Sequence, residues 1–205
     1  MRDIISSGFA VLDAMLPGGG LRRGTLVEWL TAEPGAGAMF CALRAARRVM
    51  EGDQPLVVVD ADDTFHPPGL GDVVDWRRVL LVRCADRRQL EWAVDQALRT
   101  SGVGAVLVRY DVENERRLRR WQLAAEASGG LGLVVRHLPH QPEACFSDVR
   151  IGVTPRAGEG RPVQLELLRS RQGGRGATID VRLDDDAHSL SPTFSSSPQR
   201  RAAGS

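Results

Sequence analysis

The chain has 205 residues, of which 42% are hydrophobic and 26% charged, with a formal net charge of +1. That length and apolar fraction suffice for one full core plus short appendages, and the near-neutral balance argues against a strongly electrostatic nucleic-acid binder, so direct DNA binding is expected to be weak or absent. No run approaches the roughly 20 apolar residues of a membrane span and no basic-then-apolar leader opens the chain, which predicts a cytoplasmic protein without a membrane partner.

The three cysteines, Cys41, Cys84 and Cys145, form no C-x-x-C pair and read as reduced thiols. All 27 basic residues are arginine. Any chemistry that needs a lysine is therefore excluded.

In chain order, Ser6 or Ser7 is placed to cap a short helix carrying Phe9, Leu12 and Leu16, closed by Pro17-Gly18-Gly19-Gly20. Thr25 to Leu30 reads as a buried strand bounded by Gly24 and the Pro34-Gly35 turn, and a helix is predicted from about Ala38 to Glu51. Strands follow at Leu56 to Asp60 and Val79 to Arg83, where β-branched and leucine side chains dominate. Asp86, with Gln89 three residues on, marks the start of a helix burying Leu90, Ala93, Val94, Ala97 and Leu98.

Ala105 to Val108 is the next strand, and Asp111 or Asn114 opens a long helix ended by Gly129-Gly130. Leu131 to Arg136 reads as a central strand; Val149 to Val153, Val163 to Leu168 and Thr178 to Leu183 read as strands joined by Gly-rich turns. The alternation predicts an α/β fold with a mostly parallel central sheet, helices on both faces and C-terminal antiparallel strands. Residues 1–186 are assigned to this core, and 187–205, rich in Ser, Pro and Ala, to a disordered tail.

A strand, a Gly-rich turn and a helix is the arrangement in which backbone N–H groups hold phosphates. The turn here is Ala32-Glu33-Pro34-Gly35-Ala36-Gly37-Ala38-Met39. Laid on G-x-x-x-x-G-K-[ST], Ala32 stands at the first glycine, Gly37 matches the second, and Ala38 and Met39 replace the lysine and the metal-binding hydroxyl. Neither the charge that meets the β/γ-phosphates nor the Mg²⁺ ligand remains, so no nucleotide cofactor and no catalysis are expected.

From Ile5 to about Ile179 the order of signals resembles the RecA recombinase family: Ser7-Gly8 with Leu12-Asp13, then Gly19-Gly20-Leu21, Gly24, Val27-Glu28 and the loop. The resemblance implies a three-layer RecA-like core. It places Asp62 where the family carries its water-orienting glutamate, and Arg109 where it carries a metal-supporting aspartate. Asp111, two positions on, is read as a helix cap. His137 falls at the family's nucleotide-sensing glutamine, the DNA-holding loops look absent, and so does the N-terminal helix and strand that dock on the next subunit of a filament.

A short RecA-like chain with an eroded phosphate loop is most similar to the ImuA family, through G-F-A-V-L-D-A-M-L-P-G-G-G-L, Leu123 to Ala127 and Leu167 to Gly174. That resemblance implies a non-catalytic adaptor in damage-induced (SOS) translesion synthesis, nucleoid-associated through its partners. Those partners would be an ImuB-like Y-family polymerase homologue, an error-prone C-family polymerase complex, and RecA, whose filaments it could cap. Two alternatives are an ATPase of the recombinase or clock type with an arginine phosphate clamp, and a SulA-like cell-division inhibitor.

Arg116, Arg117, Arg119 and Arg120 spread over more than one face of a helical turn beside glutamates 113 and 115. They read either as a solvated helix with i,i+4 ion pairs or as a partner-binding ridge with Trp121 as its aromatic anchor, and Trp121 reads equally as core. Arg44, Arg47 and Arg48 form a basic stripe on a wet face. His137, His140 and Cys145 lack a fourth ligand, and no metal site is expected.

Overall fold

The computed structural model describes residues 4–33, 35–50, 53–66, 73–111, 115–137 and 146–184. An eight-stranded sheet forms its centre. In chain order the strands are β3 (Leu26–Thr31), β4 (Leu56–Asp60), β5 (Val79–Arg83), β6 (Ala105–Arg109), β7 (Leu131–His137), β8 (Val149–Pro155), β9 (Pro162–Ser170) and β10 (Thr178–Arg182). Across the sheet they run β5-β4-β6-β7-β3-β8-β9-β10. The first six neighbours in that order are parallel, and β9 and β10 return antiparallel.

The six parallel strands are joined by crossovers that lay helices on both faces, which is why β3, β4, β6 and β7 are apolar along nearly their whole length. On one face α1 (Ala10–Met15) and α2 (Ala38–Met50) bury Phe9, Leu12, Cys41, Ala45, Ala46 and Val49 against Val27, Trp29, Val58 and Leu133. On the other, α3 (Arg87–Arg99) and α4 (Glu115–Ser128) bury Leu90, Val94, Leu98, Leu118 and Trp121 against Val57, Val59, Val106 and Val134. This is the α/β architecture that the alternation predicts, with the three layers of the RecA-like core that the resemblance implies. No helix among the described residues is long and apolar enough to cross a membrane.

Two local readings are corrected. Neither serine caps α1: Ser6 Oγ donates to Asp13 Oδ2 at 2.6 Å and the Ser7 N–H to Asp13 Oδ1 at 2.7 Å, so Asp13 gathers the loop from within the helix. A short antiparallel pair, β1 (Ile4–Ile5) with β2 (Leu21–Arg22), was not anticipated from two-residue apolar steps. Asp86 does cap α3, accepting the Gln89 N–H at 2.8 Å, while the Gln89 amide oxygen returns to the Ala85 N–H at 3.1 Å.

The Asp111 carboxylate accepts the His137 N–H at 2.8 Å at the end of β7, and the residues between it and α4, 112–114, on which its capping role turns, lie outside the described residues. Asn114, residues 138–145 with His140 and Cys145, Pro34, Glu51 and the 187–205 tail lie outside the described residues.

Candidate functional site

β3 is flanked on both sides by parallel partners, so its carboxyl end, where the chain turns into α2, opens at the point where strand order reverses. Thr31 starts the turn: its hydroxyl donates to the Glu33 carbonyl at 2.9 Å and accepts the Glu33 N–H at 3.2 Å. Gly35 and Gly37 take φ of 78° and 93°, in the left-handed region that glycine tolerates. The Cys41 N–H donates to the Gly37 carbonyl at 2.9 Å and begins the helix ladder.

The loop therefore has the conformation of a strand-to-helix turn, with neither the lysine nor the hydroxyl of a phosphate loop at its helix start. Ala38 is buried and Met39 half-buried, and neither side chain carries a charge or a hydroxyl. A Cβ added at Gly37 would stand 2.6 Å from Leu183 Cδ1 and 3.4 Å from Val163 Cγ1, whereas one at Gly35 would meet open space. The second glycine is needed because the C-terminal strands pack against the loop.

Beside it lies a cavity of about 240 Å³ lined by Met39, Val58, Val59, Asp60, Thr64, Phe65, His66, Leu107 and Arg109. The acid in this lining is Asp60, at the end of β4. Its two carboxylate oxygens accept the Asp62 N–H at 3.2 Å and the Phe65 N–H at 3.0 Å, so it is spent on shaping the 61–65 loop. Asp62 is exposed and outside the lining; Arg109, at the end of β6, enters it. Ala32 is exposed at the mouth of the turn.

Of the predicted ridge on α4, Trp121 is corrected: it is fully buried, edge-to-face on Tyr110 with ring centroids 4.9 Å apart. It lies three residues after Leu118 and three before Ala124, which puts it on the sheet-facing side of the helix. Arg117 and Arg120 make ion pairs across to α3. Arg117 Nη2 meets Glu91 Oε2 at 2.5 Å, and Arg120 Nε and Arg99 Nε each meet the buried Asp95 at 2.9 Å. Arg119 stacks on Phe146, with its guanidinium carbon 5.7 Å from the ring centroid. Arg116 is exposed.

Burial pushes the Asp95 carboxyl up, but hydrogen bonds from Arg99 and Arg120 more than offset it and hold the group below its ordinary range. Arg44, in the stripe on α2, lies over Phe9 at 4.6 Å, a packing role. Among the described residues no group of three or more His, Cys, Asp or Glu side chains could hold a metal ion.

One cluster escaped the sequence reading. Glu28, buried in β3, accepts from Arg136 Nη1 of β7 at 3.0 Å, from Arg150 Nε of β8 at 2.8 Å and from Ser147 Oγ. Glu115, the first residue of α4, completes it, with one carboxylate oxygen 3.4 Å from both arginines and the other buried without a hydrogen-bond partner. Burial and the negative charge of Glu28 raise the Glu115 carboxyl above its ordinary value, against the opposing pull of Arg150 and Arg136. The available signal was a charge in mid-strand, Glu28 in T-L-V-E-W-L and Arg136 at the end of Leu131 to Arg136.

Fold and loop together define a RecA-like α/β core whose phosphate-loop position retains its glycine turn and lacks both the lysine and the metal-ligating hydroxyl. The chain is 30% identical over 200 residues to Protein ImuA from two strains of Caulobacter vibrioides, NA1000 / CB15N and ATCC 19089 / CIP 103742 / CB 15, covering 86% of this chain and 82% of each relative. It belongs to the ImuA family. No protein-family model matches it.

Proposed function

We propose that the chain is a non-catalytic adaptor of damage-induced translesion synthesis, which binds an ImuB-like Y-family polymerase homologue or RecA and acts at the ends of RecA filaments. The observation that carries the non-catalytic part is the pair Ala38 and Met39 at the start of α2, in a chain with no lysine to substitute. With Arg109 rather than a carboxylate at the end of β6, charge is arranged against a Mg²⁺ ion in the adjoining cavity. Membership of the ImuA family supports the mutagenesis context.

Support for docking comes from the outer edge of the sheet. Among the described residues β5 pairs only with β4, and its Leu80 and Val82 remain 55% and 37% exposed beside an exposed Trp76. Leu80 and Val82 lie opposite Val57 and Val59, on the face that α3 covers over β4 but not over β5. An open apolar edge of this kind accepts an added strand.

The test is the length of RecA filaments on single-stranded DNA, measured by electron microscopy with the chain in excess, and retention of the ImuB-like homologue on the immobilised chain. Shortening that is lost in Leu80→Glu, with no Mg-ATP dependence in this chain, is expected. Unchanged filament length together with no retention of the homologue would dismiss the adaptor reading.

A further inference from the structure

The α3/α4 layer carries seven arginines and four carboxylates, and the carboxylates are not distributed as the arginines are. Glu91 and Asp95 turn into the seam between the helices, Glu115 sits in the buried cluster with Glu28, and Glu126 stands at the far end of α4 bonded to Gln122 and Arg171. Asp95 is shared by Arg99 and Arg120, so that seam site keeps surplus positive charge. Arg88 and Arg119 add to it on exposed positions.

Within this cationic surface stand two large apolar side chains that the fold does not cover: Trp92 on α3, 66% exposed, and Leu123 on α4, 56% exposed. Trp92 lies two residues from Leu90 and from Val94, which face the sheet, and so it points away from the core. Arg88 stands one helical turn before Trp92 and Arg99 two turns after it, on the same side of α3, and an exposed tryptophan with arginine on its helix face is the composition of a protein-binding hot spot.

We infer that the outer face of α3 and α4 is a docking surface for an acidic segment of a partner protein that also carries apolar side chains, with Trp92 as the anchor and the surplus arginine charge selecting carboxylates. Charge complementarity decides the occupant. A second copy would bring the same arginines face to face. The chain's own acidic run, Asp184 to Asp186, begins directly after β10, which four strands separate from β6 in the sheet. A nucleic-acid track is disfavoured because of the two exposed apolar side chains only Trp92 offers a ring on which a base could stack, whereas Leu123 suits an apolar side chain of a protein segment.

This surface is distinct from the β5 edge, so it stands or falls apart from the filament reading. Fluorescence anisotropy of the full chain is measured with a labelled peptide alternating glutamate with leucine and phenylalanine, with its Glu→Gln counterpart, and with oligothymidine. Saturable binding of the acidic peptide alone is expected. It should weaken about tenfold in Trp92→Ala, weaken with reduced salt dependence in Arg88→Glu, and hold in Arg182→Glu on the distant β10. Helix content by circular dichroism should match the parent throughout, since all three side chains are exposed. No saturable binding, binding that Trp92→Ala leaves unchanged, or a Trp92-dependent preference for oligothymidine would each overturn the proposal.

Discussion

Glu28 and Arg150 meet at 2.8 Å across adjacent parallel strands, β3 and β8, with the glutamate closed off from solvent. Arg136, from the strand on the other side of β3, reaches the second oxygen of the same carboxylate. Neutralising Glu28 removes the buried carboxylate that Arg136 and Arg150 share across three strands. Glu28→Gln is expected to cost about 3 kcal/mol or more, the cost of breaking a buried pair from one side. Urea titration followed by tryptophan fluorescence measures it; a loss under about 1 kcal/mol would show the cluster to be well hydrated.

Glu115 sets a pH dependence of the opposite sense to an ordinary surface carboxylate. Its folded-state pKa is raised above 4.5, so between the two values the folded chain holds a proton that the unfolded chain has released. The contribution is present at and below the unfolded pKa and is lost as pH rises through the folded one. The stability of the parent minus that of Glu115→Gln should therefore fall on going upward from about pH 4.5, in denaturation series at stepped pH. A difference that rises with pH would reverse the assignment.

Asp95 works the other way. With its carboxyl held low by Arg99 and Arg120 against the upward push of burial, its stabilisation is present above the ordinary value of 3.8 and lost as pH falls through the lowered one. Asp95→Asn releases two charge-assisted pairs, one within α3 to Arg99 and one joining α3 to Arg120 of α4, and should cost about 2 kcal/mol at neutral pH. The unfolding midpoint in guanidinium at pH 7 reports it, and the deficit should shrink on acidification.

The sheet was legible because its strands are long apolar runs between Gly and Pro punctuation, which is why Leu56 to Asp60 and Val79 to Arg83 match to the residue. The phosphate-loop position was legible because two glycines sit where backbone sterics demand them. What failed was side-chain destination. Its arginine neighbours left Trp121 open between ridge and core, helical spacing from Leu118 turns it inward, and the tryptophan exposed on this helix layer is Trp92 on the preceding helix. The partners of Arg117 and Arg120 could not be found along their own helix because Glu91 and Asp95 reach them across a tertiary seam. The Glu28 cluster needs three strands and a helix start to assemble, and linear spacing does not encode that meeting.

The two glycines of the loop separate backbone strain from packing. Both lie in the left-handed region, but only Gly37 has a neighbour, Leu183 Cδ1, inside the distance a Cβ requires. Gly35→Ala should cost about 1 kcal/mol from backbone strain alone. Gly37→Ala should cost about 1 kcal/mol more, because Leu183 has to move out of its site at the end of β10. Thermal unfolding of the two variants side by side gives the difference, and equal losses would mean that Leu183 yields without resistance.

Restoring the missing groups tests how deep the loss of phosphate chemistry goes. Ala38→Lys with Met39→Thr rebuilds the lysine and the hydroxyl, but the cavity still receives Arg109, and its one acid, Asp60, remains committed to the Asp62 and Phe65 N–H groups. A Mg²⁺ ion bridging phosphates would thus find one restored ligand and a fixed positive charge where the second carboxylate should stand. Phosphate release by the double variant is expected to stay at the level of the parent chain, measured with radiolabelled ATP and Mg²⁺. Adding Arg109→Asp should improve Mg-dependent nucleotide retention over the double variant. Turnover in the double variant alone would place the whole defect in Ala38 and Met39 and remove Arg109 from the account.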